Sequence, residues 1–147
     1  MEHHSLDMLR QRAEVKPVAA VFRRREKLER WARLIEASGS LRFDTFPQLE
    51  YASAGERSAV RRDGSPFALA YADPVFREAG LEGDRYGQAV SFFELSEREA
   101  HRLFCSCMHG GTMSSEGLAS ELRRLSVRNR GGFVSRIVAG LRHSLLH

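Results

Sequence analysis

The chain has 147 residues, 42% hydrophobic and 29% charged. That balance suits one globular domain with a real core and leaves too little length to expect two. No apolar run approaches the roughly 18 residues of a membrane span, the run VAAVF is shorter than the core of a secretory leader at about 7–15 residues, and two cysteines two positions apart make no disulfide framework, so the expected location is reducing and cytoplasmic.

The net charge of +4 is small and unevenly placed. Residues 121–147 hold six arginines against the single acid Glu121, a net +5, while residues 1–120 sum to −1. Such asymmetry points to an anionic partner or to a solvated basic end. Only Lys16 and Lys27 are lysines, and this arginine bias alone carries little functional weight.

Residues 1–16 read as loosely ordered, and Pro17 breaks the pattern. A helix is expected over residues 18–37. Val21, Leu28 and Ile35 recur at heptad spacing, Phe22, Trp31 and Ala32 fill the same face, and Gly39 stops it. Glu26–Arg30 and Glu29–Arg33 are spaced for acid-first ion pairs. Docking of the aromatic stripe on the core is favoured over a dimer seam, because Arg24 would sit inside such a seam.

The stretch "LRFDTF" alternates weakly and reads as a short strand. Asp63-Gly64 then gives a turn signal that allows a minor β-hairpin within residues 41–72, with Pro66 pushing its second strand late or to an edge. The rival is a short helix over residues 54–62 stopped by Gly64. Asp73-Pro74 is an N-cap with proline at the first helical position, and Gly80 closes that short helix. Asp84 is placed to cap a helix ending near Phe93. Ser96 and Glu99 form a capping box, and the helix they open is expected to run to Gly110-Gly111. Another starts at Ser114 or Ser115 and reaches about Val127. Residues 128–132 read as a basic Gly-containing hinge before a last helix to residue 147. The sum is a mainly α, single small helical domain with short Gly-, Ser- and Asp-capped connections: residues 17–130 as the helical domain and 131–147 as an amphipathic basic C-terminal helix.

The one cluster of soft residues is Cys105-Ser106-Cys107-Met108-His109. On an uninterrupted helix, Cys107 joins the apolar stripe of Ala100, Leu103, Phe104 and Met108, the two cysteines point apart, and His101, Cys105 and His109 form a row four residues apart. Two ligands at that spacing can hold zinc, and the third drifts round the helix. A structural site wants a fourth ligand, for which only the distant His143 offers itself. Catalysis by Cys105 with His101 as base is disfavoured, because the C-terminal end of a helix opposes a thiolate. No cofactor is expected, and zinc is the ion this row could take.

The pair of helices over residues 96–127 resembles a helix-turn-helix in outline only. The second helix would offer a DNA groove Ser114, Ser115, Glu116 and Gly117 at its N-terminus, where bases are read, and its arginines come at the other end. An αα-hairpin in the core is the plainer reading. In the last segment Phe133, Ile137, Leu141 and Leu145 make an apolar stripe, with Arg136, Arg142 and His143 off it. The stripe fits packing on the core, docking on a partner or a second copy, or, least well, lying on an anionic membrane surface.

The favoured function is that of a non-enzymatic binding or regulatory protein acting through Arg123, Arg124, Arg128, Arg130, Arg136 and Arg142 on a protein partner or in a homodimer. One alternative is a nucleic-acid-binding regulator with phosphate contacts from residues 123–130. The other is a metal- or thiol-dependent protein using His101, Cys105 and His109.

Overall fold

The structure, a computed structural model, describes residues 22–128. Helix α1 spans Arg24–Ala37. Strand β1 is Arg42–Asp44, and a 3-10 turn covers Leu49–Tyr51. Four short helices follow: α2 Ala54–Ala59, α3 Pro66–Tyr71, α4 Pro74–Glu78 and α5 Tyr86–Phe92. Then come α6 Glu97–Phe104, α7 Ser106–His109, strand β2 Thr112–Ser114 and α8 Ser115–Arg128. The mainly helical class expected from the pattern is the class observed. The proposed loose segment at 1–16, the hinge beyond Arg128 and the final helix lie outside the described residues.

Helix α1 and helix α8 pack along each other as the two long walls of the domain. Leu28, Trp31, Ala32 and Ile35 of α1 meet a core that includes Leu118, Ala119, Leu122 and Leu125 of α8. Between the walls the aromatic residues of the short helices close up. The Trp31 ring stacks on Phe93 at 3.9 Å between centroids, and its Nε1–H donates to Pro66 O at 2.9 Å. Phe67 packs edge-on against Phe104 at 4.7 Å and lies 5.2 Å from Phe46. Arg24, the residue that spoke against a dimer seam, is buried in the domain. It donates to both carboxylate oxygens of Glu99 at 3.0 Å and to the carbonyl of Glu94.

Helix boundaries follow local chemistry. Asp73 caps α4 by accepting from Val75 N at 3.3 Å, with Pro74 at the first helical position. Ser96 and Glu99 make the reciprocal capping box of α6, at 3.0 and 2.8 Å. Gly39 and Gly80 take φ values of +79° and +118° just past their helices, where a side chain would be strained.

Four local expectations change in the fold. The strand expected in "LRFDTF" forms, but its partner comes from residues 112–114 rather than from residues 41–72. Phe43 faces Met113, Arg42 faces Ser114, and Asp44 faces Thr112 in antiparallel register. Phe43 and Met113 supply the buried face, an apolar pair that no local partner offers. Asp63-Gly64 does make a turn, with Gly64 at φ +71°, but between two helices. Ser65 caps α3 by accepting from Ala68 N at 3.0 Å, and Pro66 starts the helix instead of weakening a strand. Asp84 leaves the cap of α5 to Arg85, because its carboxylate takes the Arg61 guanidinium at 2.8 Å. The ion-pair expectation shifts as well: Arg30 reaches Asp73 at 2.6 Å, and Glu29 meets Arg25.

Candidate functional site

The helix opened by Ser96 ends at Phe104, five residues before the expected stop. Cys105 is extended, with φ −78° and ψ 137°. The cause is tertiary. Phe46 N donates to Phe104 O at 2.8 Å and Ser106 N donates to Phe46 O at 3.3 Å, an isolated parallel bridge that pairs residue 105 with residue 46. Backbone groups that would have continued the helix are satisfied across this bridge. Residues 106–109 then restart as the single turn α7.

This break redraws the phase of every side chain after it. Cys105 is fully buried, and Cys107, expected in the apolar stripe, is exposed. The two cysteines, expected to point apart, bring their sulfurs to 2.9 Å. Cys107 Sγ lies 3.2 Å from His101 Nε2 in the last turn of α6. His101, Cys105 and Cys107 thus place three ligand atoms within 4.8 Å of one another. His109, the third member of the expected row, is elsewhere. Its ring nitrogen donates to the carbonyl of Arg102 at 2.6 Å, satisfying an acceptor in the last turn of α6.

A fourth group comes from a segment with no local signal of chemistry. Gln48 adopts a left-handed φ of +71° and opens the 3-10 turn. That turn carries Glu50, whose carboxylate accepts the Cys105 thiol at 2.9 Å. The two groups influence each other consistently. Burial first, then the hydrogen bonds with Cys107 and Glu50, push the Cys105 thiol up to about 12. The thiol hydrogen bond in turn holds the Glu50 carboxyl below its ordinary value. In this state the buried sulfur carries its proton and the carboxylate is charged.

Chemically, two sulfurs, an imidazole and a nearby carboxylate form a donor set suited to zinc and other thiophilic ions. Tetrahedral zinc, with Zn–S near 2.3 Å and Zn–N near 2.0–2.1 Å, sets donors about 3.4–3.8 Å apart. The observed 2.9 and 3.2 Å therefore open by less than about 1 Å around an ion, which rotation of the exposed Cys107 side chain can supply.

Three arginines of the expected surface fall within the described residues. Arg123 grips Glu36 of α1 through both terminal nitrogens, at 2.6 and 2.5 Å. Arg124 folds onto Glu121 of its own helix. Arg128 is exposed at the end of α8, while Arg130, Arg136 and Arg142 lie outside the described residues. The start of α8 is tied down too, since Ser115 donates from both its backbone N and its hydroxyl to Leu41 O. A groove of about 400 Å³ lies among α6, α7, β2 and α8, with Leu103, Met108, Met113, Leu118 and Leu125 in its lining. No protein-family model matches the chain, and comparison with curated proteins and with solved structures gave no match either.

Proposed function

We propose that the protein is a small helical binding protein that holds one thiophilic divalent ion, zinc foremost, through His101, Cys105 and Cys107. The observation that carries this reading is the convergence of those three donors at the break between α6 and α7. Glu50 or a water completes the coordination. Soft sulfur and imidazole donors suit zinc over magnesium or calcium, which prefer all-oxygen shells. The fold supports the arrangement from behind: the Phe46–Cys105 bridge holds one ligand rigidly, and α6 holds another, leaving Cys107 to adjust.

Titration of the reduced chain with cobalt(II), followed by competition with zinc, tests this. The expected result is one ion per chain and a thiolate-to-cobalt charge-transfer band. Cys107→Ser and His101→Ala should each weaken binding at least tenfold, while His109→Ala changes it less than about twofold. Stoichiometric binding that survives Cys107→Ser, or no binding below the high micromolar range, would overturn the reading.

Action on a protein partner through the basic C-terminal unit is the second reading, and the exposure of Val127 and Arg128 at the end of α8 favours it. The nucleic-acid alternative stands behind it, because Arg123 and Arg124 already have carboxylate partners. Binding to labelled duplex DNA at low and near-physiological salt separates the two. Retention at physiological salt would favour nucleic acid, and loss by then would favour a protein partner.

A further inference from the structure

The same three residues are also arranged for a reaction that needs no metal. We propose that Cys105 and Cys107 form a reversible disulfide when the protein meets hydrogen peroxide, and that this oxidation expels the bound ion. The disulfide step stands on the geometry alone. The expulsion step rests on the metal reading given above.

The two sulfurs differ in access. Cys107 is exposed and Cys105 fully buried, so a dissolved oxidant meets Cys107 first. His101 Nε2, 3.2 Å from the Cys107 sulfur, is placed to take its proton. The Cys107 thiolate attacks one peroxide oxygen, an S–O bond forms, and the O–O bond breaks. The departing hydroxide takes the proton held by His101 and leaves as water, with Cys107 now a sulfenic acid and the imidazole neutral again. Cys105 is already 2.9 Å from that sulfur. Its own proton points at the Glu50 carboxylate, also 2.9 Å away. Attack by the Cys105 sulfur forms the S–S bond and breaks the S–O bond. The proton passed to Glu50 leaves with the hydroxide as a second water. Two thiols and one peroxide thus yield one disulfide and two waters: the sulfurs give up two electrons, and the peroxide oxygens gain them.

Closing the bond needs the sulfurs to approach from 2.9 Å to about 2.05 Å. Binding zinc needs them to move apart. The two states therefore exclude each other, and each uses both sulfurs. A resolving thiol this close stops oxidation at the disulfide, before the irreversible sulfinic step. Glu50 has the role of a positioning residue that also receives the proton of the resolving thiol.

The test uses the full chain in two arms. Reduced, metal-free protein is treated with a few equivalents of peroxide, alkylated, and weighed intact. The expected product is a monomer lighter by two hydrogens, with neither cysteine alkylated, and returned to two free thiols by dithiothreitol. Zinc-loaded protein is treated likewise in the presence of a chromophoric chelator, and one zinc should appear per disulfide, at the same rate. Glu50→Gln should slow disulfide formation several-fold and let a Cys107 sulfenic acid accumulate, trapped as its dimedone adduct. Cys105→Ser should trap the same adduct, and Glu50→Gln, at an exposed site, keeps the test open if that core variant fails to fold. A sulfinic Cys107 beside an alkylatable Cys105, or disulfide-linked dimers alone, would overturn the proposal. Disulfide formation in a chain that binds no zinc would overturn the metal reading and the expulsion step with it, and leave the disulfide step standing. Zinc binding without any intramolecular disulfide would overturn only this one.

Discussion

Asp73 shows how one side chain can answer two demands. Its carboxylate caps α4 through Val75 N and takes the Arg30 guanidinium at 2.6 and 3.0 Å, and its side chain is only 7% exposed. The Arg30 hydrogen bond is the main reason its carboxyl is held below the ordinary value. A carboxyl whose folded pKa is depressed stabilises the fold fully above its unfolded pKa, and that contribution disappears as pH falls through the folded value. Asp73→Asn, which keeps a capping oxygen and loses the charge, should cost about 1–2 kcal/mol at neutral pH. The difference from the parent chain should shrink progressively as pH falls through and below the ordinary carboxylate range. Urea melts of both chains across that range check it, and a difference constant with pH would show that the ion pair contributes nothing. The Asp-Pro signal of this cap is legible in the primary structure, whereas the arginine that pairs with it lies on another helix, 43 residues away.

At the scale of elements, α2 and α5 approach closely at a glycine. A Cβ built on Gly87 would lie 1.8 Å from Ser58 Oγ, 2.8 Å from its Cβ and 3.1 Å from its Cα. The glycine is there because the helix backbones need the room, and no conformational freedom is involved. Gly87→Ala should destabilise the domain by about 1–3 kcal/mol, the range for overpacking a filled contact. Ser58→Gly should restore part of that loss in the double variant, since the clash is mutual. Thermal unfolding of the four chains of this cycle gives the coupling directly, and strict additivity would mean the helices simply move apart. The same scale explains the difficulty of residues 41–72. Ser65-Pro66 carries the same start signal as Asp73-Pro74. The Asp63-Gly64 turn, however, serves a helix pair and a hairpin equally, and helices of six residues are too short to show a period.

For the whole molecule, Trp31 is the residue on which the walls and the short helices converge. It is fully buried, stacked on Phe93, within 6 Å of Phe67 and Phe104, and bonded to the carbonyl of Pro66, the first residue of α3. Trp31→Ala should cost about 3–5 kcal/mol. Trp31→Phe should cost less, since it keeps most of the apolar volume and loses only the Nε1–H donated to Pro66 O, a net of about 1 kcal/mol for the hydrogen bond. Tryptophan emission in the parent chain, the only one with an indole, should be blue-shifted and move to the red on unfolding. Chemical denaturation followed by circular dichroism ranks the variants, and an unchanged midpoint in Trp31→Ala would refute this placement of the core.

Local chemistry was sufficient for the class of fold, the buried stripe Leu28, Trp31, Ala32 and Ile35 of α1, the starts of α4, α6 and α8 and the stops at Gly39 and Gly80, whereas α1 begins at Arg24 rather than at residue 18. Capping oxygens, proline at the first turn and glycine past the last act within four residues of chain and need no partner from afar. It also singled out His101, Cys105 and His109 as a ligand row, of which the fold keeps His101 and Cys105 and puts Cys107, read as part of the apolar stripe, in the place of His109. It could not choose among their pairings, because helical phase was carried unbroken from Ser96 to Gly110. Only the folded chain sets Phe46 against Cys105, takes over the backbone hydrogen bonds there, and ends the helix. That one non-local bridge moves Cys107 to the side of His101, releases His109 to the Arg102 carbonyl and delivers Glu50 to the buried thiol. Contacts between residues 55 or more positions apart depend on which surfaces the core leaves adjacent, and that is settled by packing, which no local pattern encodes.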